Sequence, residues 1–201
     1  MQNENIGKPK VFFVLGGPAC GKGTQCQYLN EDFGFKHISA GDCLREEQSS
    51  GSPDADLINK HIADGTIVPN EITMKLLKKK MEKLGWEKES YLIDGYPRNQ
   101  ENLEGWLKFI GDQIDFQSVI LFNTSEDILV KRGMSRAQNS GRIDDKEETI
   151  KRRIQIFLDQ TSYVVNHFRK QNKVIDVSGD SSREDIRQDL NNKIKQLPAF
   201  Q

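Results

Sequence analysis

Gly16-Gly17-Pro18-Ala19-Cys20-Gly21-Lys22-Gly23-Thr24 follows directly on the apolar run 10–15 and opens a stretch with helical spacing. Strand, glycine-rich turn, lysine and helix, in that order, are the surroundings that the pattern GxxxxGK requires. Glycines let successive backbone N–H groups turn inward around a phosphate, and a helix N-terminus adds partial positive charge. Lys22 then reaches the β- and γ-phosphates of a nucleoside triphosphate. The hydroxyl that commonly follows the lysine comes one residue later, at Thr24, because Gly23 intervenes. The loop predicts ATP or GTP held by Ala19, Cys20, Gly21, Lys22, Gly23 and Thr24, and leaves the fate of the nucleotide open.

Four more apolar runs follow, at 35–38, 91–93, 118–122 and 173–177. They are rich in Val, Ile, Leu and Phe without polar alternation, as in strands covered on both faces. Helical spacing separates them, with one stripe at Ile72, Leu76 and Leu84 and another at Ile150, Ile154 and Leu158. The order predicts an α/β fold of the P-loop class, with a five-stranded parallel sheet flanked by helices and ligands beyond the strands' carboxyl ends. Roughly fifty mostly helical residues lie between the first and third strands, too many for one crossover. A small helical subdomain is expected there, with a break between two of its helices at 49–53. The polar segment 137–144 reads as a short loop between two long helices, and Lys78, Lys79 and Lys80 as a solvated helix face.

The chain has 201 residues, 29% of them charged and 35% apolar, with a formal net charge of −1. One domain with an ample core fits that length, and global neutrality argues against a general nucleic-acid coat protein. No apolar run approaches a membrane span, and residues 1–10 lack the apolar core of an export signal. Cys20, Cys26 and Cys43 show no metal or redox spacing, which fits free thiols in a reducing compartment. A cytosolic location is expected, and no basic cluster decides nuclear entry either way.

Further motifs then appear in a fixed order: Ser39-Ala40-Gly41-Asp42-Cys43-Leu44-Arg45, Gly65-Thr66-Ile67-Val68-Pro69, Asp94-Gly95-Tyr96-Pro97-Arg98, and Ser140-Gly141-Arg142 with Asp144 and Asp145. Together with the loop, they resemble the nucleoside monophosphate kinases, the family of adenylate kinases and UMP-CMP kinases, from about residue 10 to about residue 180. The resemblance implies a core of about 10–38, 85–136 and 153–201, a monophosphate-binding subdomain of about 39–69 and a lid of about 137–145. It implies monophosphate binding by Ala40, Arg45, Ile67, Val68, Gly95, Arg98, Asn102, Arg142 and Arg153. Catalytic positioning falls to Lys22, Arg98, Arg136, Arg142 and Arg153. Arg132 would stack on adenine, and Gly179 would touch it through its backbone or be a plain turn glycine. A monomer and a cis Tyr96–Pro97 bond are implied as well.

Phosphoryl transfer is mostly positioning plus electrostatics, and an ionised acceptor phosphate needs no general base. None of His37, His61 and His167 is therefore nominated. ATP and a monophosphate bring roughly six negative charges, less two for Mg²⁺, against the seven cations Lys22, Arg45, Arg98, Arg132, Arg136, Arg142 and Arg153. Asp94 ends an apolar strand as a Walker B acid does, and is expected to position Mg²⁺ directly or through water. Asp144 and Asp145 read either as lid residues or, for Asp145 with Glu148, as a helix capping box. Cys20 is open to two readings, a reactive thiol at a helix N-terminus or an inert packing residue. The lid carries no cysteine quartet, which excludes a bound zinc.

Two positions favour a pyrimidine acceptor, CMP or UMP and by extension dCMP. Ala40 stands where adenylate kinases carry Thr, and Asn102 where they carry Gln. Asn is a shorter amide whose donor and acceptor match cytosine or uracil by flipping. AMP as acceptor is the alternative reading, and a non-catalytic nucleotide-binding scaffold the remaining one.

Overall fold

β1 (Lys10–Gly16) is buried along its centre, and its side chains divide between two cores. Val11, Phe13 and Leu15 enter one, whereas Phe12 and Val14 enter the other. A strand that alternates between two apolar layers has helices on both faces. The computed structural model describes residues 7–87 and 89–200, so the polar start at 1–6 lies outside the described residues.

The chain continues through α1 (Lys22–Phe33), β2 (Lys36–Ser39), α2 (Ala40–Gln48), α3 (Ala55–Asp64), α4 (Asn70–Leu84) and β3 (Ser90–Asp94). Then come α5 (Gln100–Phe109), β4 (Asp115–Asn123), α6 (Glu126–Ser140), α7 (Glu147–Ile156), α8 (Ser162–Arg169), β5 (Val174–Ser178) and α9 (Arg183–Lys195). The five strands form one parallel sheet in the order β2-β3-β1-β4-β5. Leu77 and Met81 of α4, Leu103 and Trp106 of α5, and Val164 and Phe168 of α8 cover one face. Cys26 and Leu29 of α1, with Ile186, Leu190 and Ile194 of α9, cover the other. Leu44, Ile58 and Val68 form a small separate core, with Ile62 and Ile72 packed against it, under α2 and α3.

Four details differ from the sequence reading. β4 starts at Asp115, because its first residues are half-buried and partly polar and so escape an apolar-run reading. Helix α6 runs on to Ser140 and stops where Gly141 takes a left-handed conformation, φ 61°, so 137–140 are helical rather than loop. Leu158 is 50% exposed, because the chain passes from α7 into a π turn at Phe157–Thr161. The extra residue per turn moves the apolar stripe out of phase, and Thr161 takes the buried place. Lys79 is exposed, but Lys80 reaches across to Glu46 on α2 at 3.0 Å.

Helices α1 and α9 are clasped by Arg187. Its Nε donates to Asp32 at 2.8 Å, and its guanidinium lies 4.3 Å from the ring centre of Tyr28. Hydrogen bonds from Arg187 first and Asn191 second hold the Asp32 carboxyl down to about 2. A carboxyl depressed in the folded state stabilises above its unfolded pKa, about 4, and loses that contribution as pH falls through its folded value. Asp32→Asn is expected to cost about 1 kcal/mol at pH 7, a Tm drop of about 2–4 °C. The difference from wild type should shrink as the pH approaches 2, which paired thermal scans would check.

Candidate active site

A cavity of about 690 Å³ opens at the carboxyl ends of β1, β2 and β3. It is lined by the loop 16–24, by the start of α2, by Thr66, Ile67 and Val68, and by residues of the turn after β3. The loop's shape follows from its glycines. Gly16 has φ 154°, and a Cβ there would come within 2.8 Å of Cys20 Sγ and 2.9 Å of Phe122 Cβ. Helix α1 has no side-chain cap, so its first N–H donors lack a side-chain partner. That is the arrangement in which a helix end takes a phosphate. Lys22 Nζ folds over the loop and donates to the carbonyls of Gly16 and Gly17, each at 2.9 Å.

Ala19 is held at φ 61°, a left-handed conformation in a residue with a Cβ. Such a residue carries about 1–2 kcal/mol of strain. Ala19→Gly removes it at the cost of about 0.5–1 kcal/mol of chain entropy. A Tm rise of about 1–3 °C is expected by calorimetry, and a fall would contradict the strain. Cys20 is 1% exposed, which favours its packing role. Burial pushes the Cys43 thiol up to about 11, and that of Cys26 upward too.

Asp94 ends β3, paired with Val14 on one side and Ser39 on the other, and is 8% exposed. Its Oδ2 lies 3.3 Å from His37 Nε2. The neighbouring strand β2 delivers His37, which no sequence motif nominates. Cys26, His37 and Asp94 bring ligand atoms within 4.8 Å of one another. Of the three donors, only the Asp94 oxygen suits a hard ion such as Mg²⁺, whose remaining ligands are commonly water and phosphate.

The arginines converge on the same cavity. Arg98 is fixed by Nε donating to the carbonyl of Gly95 at 2.7 Å, and its own carbonyl accepts from the Thr161 hydroxyl at 2.8 Å. Burial pulls its pKa down first, while the charges of Asp94 and Asp144 push it up. Arg153 pairs with Asp144, and burial brings it down to about 10 against that pairing. Burial also lowers Arg142, with repulsion from Arg45 and Arg136 adding to it. Cations that depress one another in a cleft are poised for a polyanion. Arg136 binds Asp145, whose carboxylate also accepts from Ser140 at 2.7 Å. The carboxylate is thereby occupied, α7 is capped by Lys146 without a side-chain bond, and the capping-box reading of Asp145 falls. Asp144 Oδ1 is buried without a partner.

Arg132 donates to the carbonyl of Gly179 at 2.7 Å, which orients its guanidinium beside the loop. Gly179 itself does not line the cavity. Lys22, Asp94, Arg45, Arg98, Arg132, Arg136, Arg142 and Arg153 all do, together with Ala40, Gly95 and Asn102. The Tyr96–Pro97 bond is cis. Asn102 is 2% exposed and does not cap α5, because Asn99 accepts from the Asn102 N–H at 2.8 Å and does so itself. The Asn102 amide is held internally. Its Oδ1 accepts from the Arg98 N–H at 3.2 Å, and its Nδ2 donates to Asn70 Oδ1 at 3.3 Å. Its orientation is therefore set, where the sequence alone left both flips open.

A triphosphate loop facing a second ring of arginines across one cleft defines a P-loop phosphotransferase with a small anionic acceptor. Residues 14–173 match the family model described as adenylate kinase, and the chain belongs to that family of nucleoside monophosphate kinases. It is similar to the UMP-CMP kinase of Danio rerio, 42% identical over 189 residues, 92% of this chain and 96% of that protein. The UMP-CMP kinase of Homo sapiens is 40% identical over 185 residues, 89% of this chain and 93% of that one. A protein named adenylate kinase 1 from Schistosoma mansoni is 40% identical over 197 residues, 98% of both. No described helix is long and apolar enough to cross a membrane.

Proposed function

We propose that the protein transfers the γ-phosphoryl group of ATP to CMP or UMP, with dCMP in the same acceptor class, giving ADP and a nucleoside diphosphate. The observation that carries the reading is the single cavity in which the loop 16–24 meets Arg45, Arg98 and Asn102. The acceptor phosphate is already ionised, so the protein's task is to align two phosphates and neutralise them. Lys22 moves from the carbonyls of Gly16 and Gly17 onto the β- and γ-phosphates. Arg45 and Arg98 hold the monophosphate, and Arg136, Arg142 and Arg153 surround the transferring group. Ala40, Ile67, Val68 and Gly95 wall the acceptor, with Asn102 reading its base. Arg132 lies against adenine, with the Gly179 carbonyl fixing the plane of its guanidinium.

Asp94 would hold Mg²⁺ with ATP, most simply through water, and the ion supplies charge neutralisation at the phosphates when bound. The segment 39–69 and the lid about 137–145 are read as moving parts that exclude water, which would otherwise accept the phosphoryl group. A cytosolic location, supported by three free, buried cysteines, and a monomeric state complete the reading.

AMP as acceptor is the second reading, favoured by the similarity to the Schistosoma mansoni protein named adenylate kinase 1. Asn102→Gln separates the two. The longer amide should raise KM for CMP and UMP about tenfold and leave KM for ATP unchanged. An Asn102→Gln enzyme with unaltered pyrimidine kinetics would remove Asn102 from base recognition.

A further inference from the structure

Asn70 is the first residue of α4 and follows the cavity wall of Thr66, Ile67 and Val68. It is 5% exposed, and its side chain crosses to α5. The crossing depends on Gly105, where a Cβ would come within 2.0 Å of Asn70 Nδ2. Asn70 Oδ1 accepts from Asn102 Nδ2 at 3.3 Å and from the Tyr96 hydroxyl at 2.8 Å. The same hydroxyl lies 2.8 Å from the Asn102 carbonyl, so its proton is shared between two oxygens.

These contacts admit one assignment of the two amides. The Arg98 N–H can only donate, so the oxygen of Asn102 faces it and the nitrogen faces Asn70. Asn70 must then present its oxygen, since a reversed amide would set two N–H₂ groups against each other. Asn70, Tyr96 and Asn102 are buried at 5%, 1% and 2% exposure, which leaves little room for water to replace either partner. After these bonds, the Asn102 amide keeps one N–H and one oxygen lone pair for a ligand.

We propose that Asn70 is a specificity-determining positioning residue: together with the Arg98 N–H it holds the Asn102 amide in one direction, and so sets the relative acceptance of cytosine and uracil monophosphates. The proposal rests on the reading that Asn102 meets the base. Cytosine offers an amine donor at position 4 and a ring-nitrogen acceptor at position 3, whereas uracil offers a carbonyl acceptor and an N–H donor there. The order is opposite. A turning amide serves both bases equally, and a locked one pairs in register with only one of them.

The test is initial-rate kinetics with CMP and with UMP, alongside thermal unfolding, for wild type and four variants. Asn70→Ala and Asn70→Leu remove the acceptor at two different volumes, Asn70→Asp keeps it, and Asn102→Leu removes the reading amide. In the acceptor-free variants, KM for the better pyrimidine should rise about five- to tenfold and the CMP-to-UMP ratio should move toward unity. The change falls mainly on KM for the acceptor, with KM for ATP held, and Asn70→Asp restores the wild-type ratio. A loss of packing alone would not move that ratio or be corrected by Asp. Folded acceptor-free variants with the wild-type ratio, beside an Asn102→Leu enzyme that has lost it, would overturn the role of Asn70 alone. An Asn102→Leu enzyme with unchanged pyrimidine kinetics would overturn base reading and this proposal together. Should neither acceptor-free variant fold, Tyr96→Phe carries the test, since loosening Asn70 must move the ratio in the same direction.

Discussion

Arg98→Met is expected to lower kcat/KM for the monophosphate acceptor by about 10³ and to leave KM for ATP within about twofold. Arg98 lies in the turn after β3, where the charges of Asp94 and Asp144 favour its cation and that of Arg45 opposes it. It is held at both ends, by its own Nε on Gly95 and by Thr161 on its carbonyl, so its fork is aimed before substrate arrives. A preorganised cation in a desolvated cleft contributes more to a developing phosphoryl charge than it would in water. Methionine keeps the apolar stem and deletes the charge, which separates electrostatics from packing. Arg98→Lys should recover only part of the loss, because an ammonium cannot reproduce two parallel donors. Steady-state kinetics with the acceptor varied at saturating ATP would decide it, and a loss under tenfold would remove Arg98 from the reacting centre.

Lys22→Met carries the second large effect, a fall in kcat of about 10³ with a smaller change in the affinity for ATP. Lys22 Nζ bonds the carbonyls of Gly16 and Gly17, so the loop and not the solvent sets its place. The same substitution leaves those two carbonyls without their donor, and the loop should loosen. Tm and kcat are therefore to be read together. A large kcat loss with Tm within about 3 °C of wild type points to phosphate chemistry, whereas a parallel collapse of both points to a structural lysine.

Much of this was legible because the signals were local. The loop 16–24 announced itself by glycine, lysine and flanking periodicity within a few residues. The strands did so by apolar runs that need no polar face in a covered parallel sheet. Boundaries failed where local composition and structure part company. Ser140 ends α6 because of a glycine's backbone, not because polar residues begin. Leu158 points outward because a π turn inserts a residue, and no stripe of Ile and Leu reports that.

The arginine set could be named from motifs, but its partners could not. Thr161 reaches Arg98 from 63 positions away, and His37 reaches Asp94 from 57. Such pairs arise from strand order and helix docking, which composition does not encode. Asn102 shows the limit best. Its residue type was readable, whereas its direction depends on Asn70, Tyr96 and the Arg98 N–H, which only the fold brings together.

The most direct measurement is the initial rate of phosphorylation with Mg–ATP across CMP, UMP, dCMP, AMP and GMP at equal concentration. CMP and UMP should be converted to diphosphates well ahead of AMP and GMP, with ADP formed in equal amount. AMP turnover far above both pyrimidines would contradict the acceptor assignment, and ATP binding without transfer to any of the five would contradict the enzymatic reading itself.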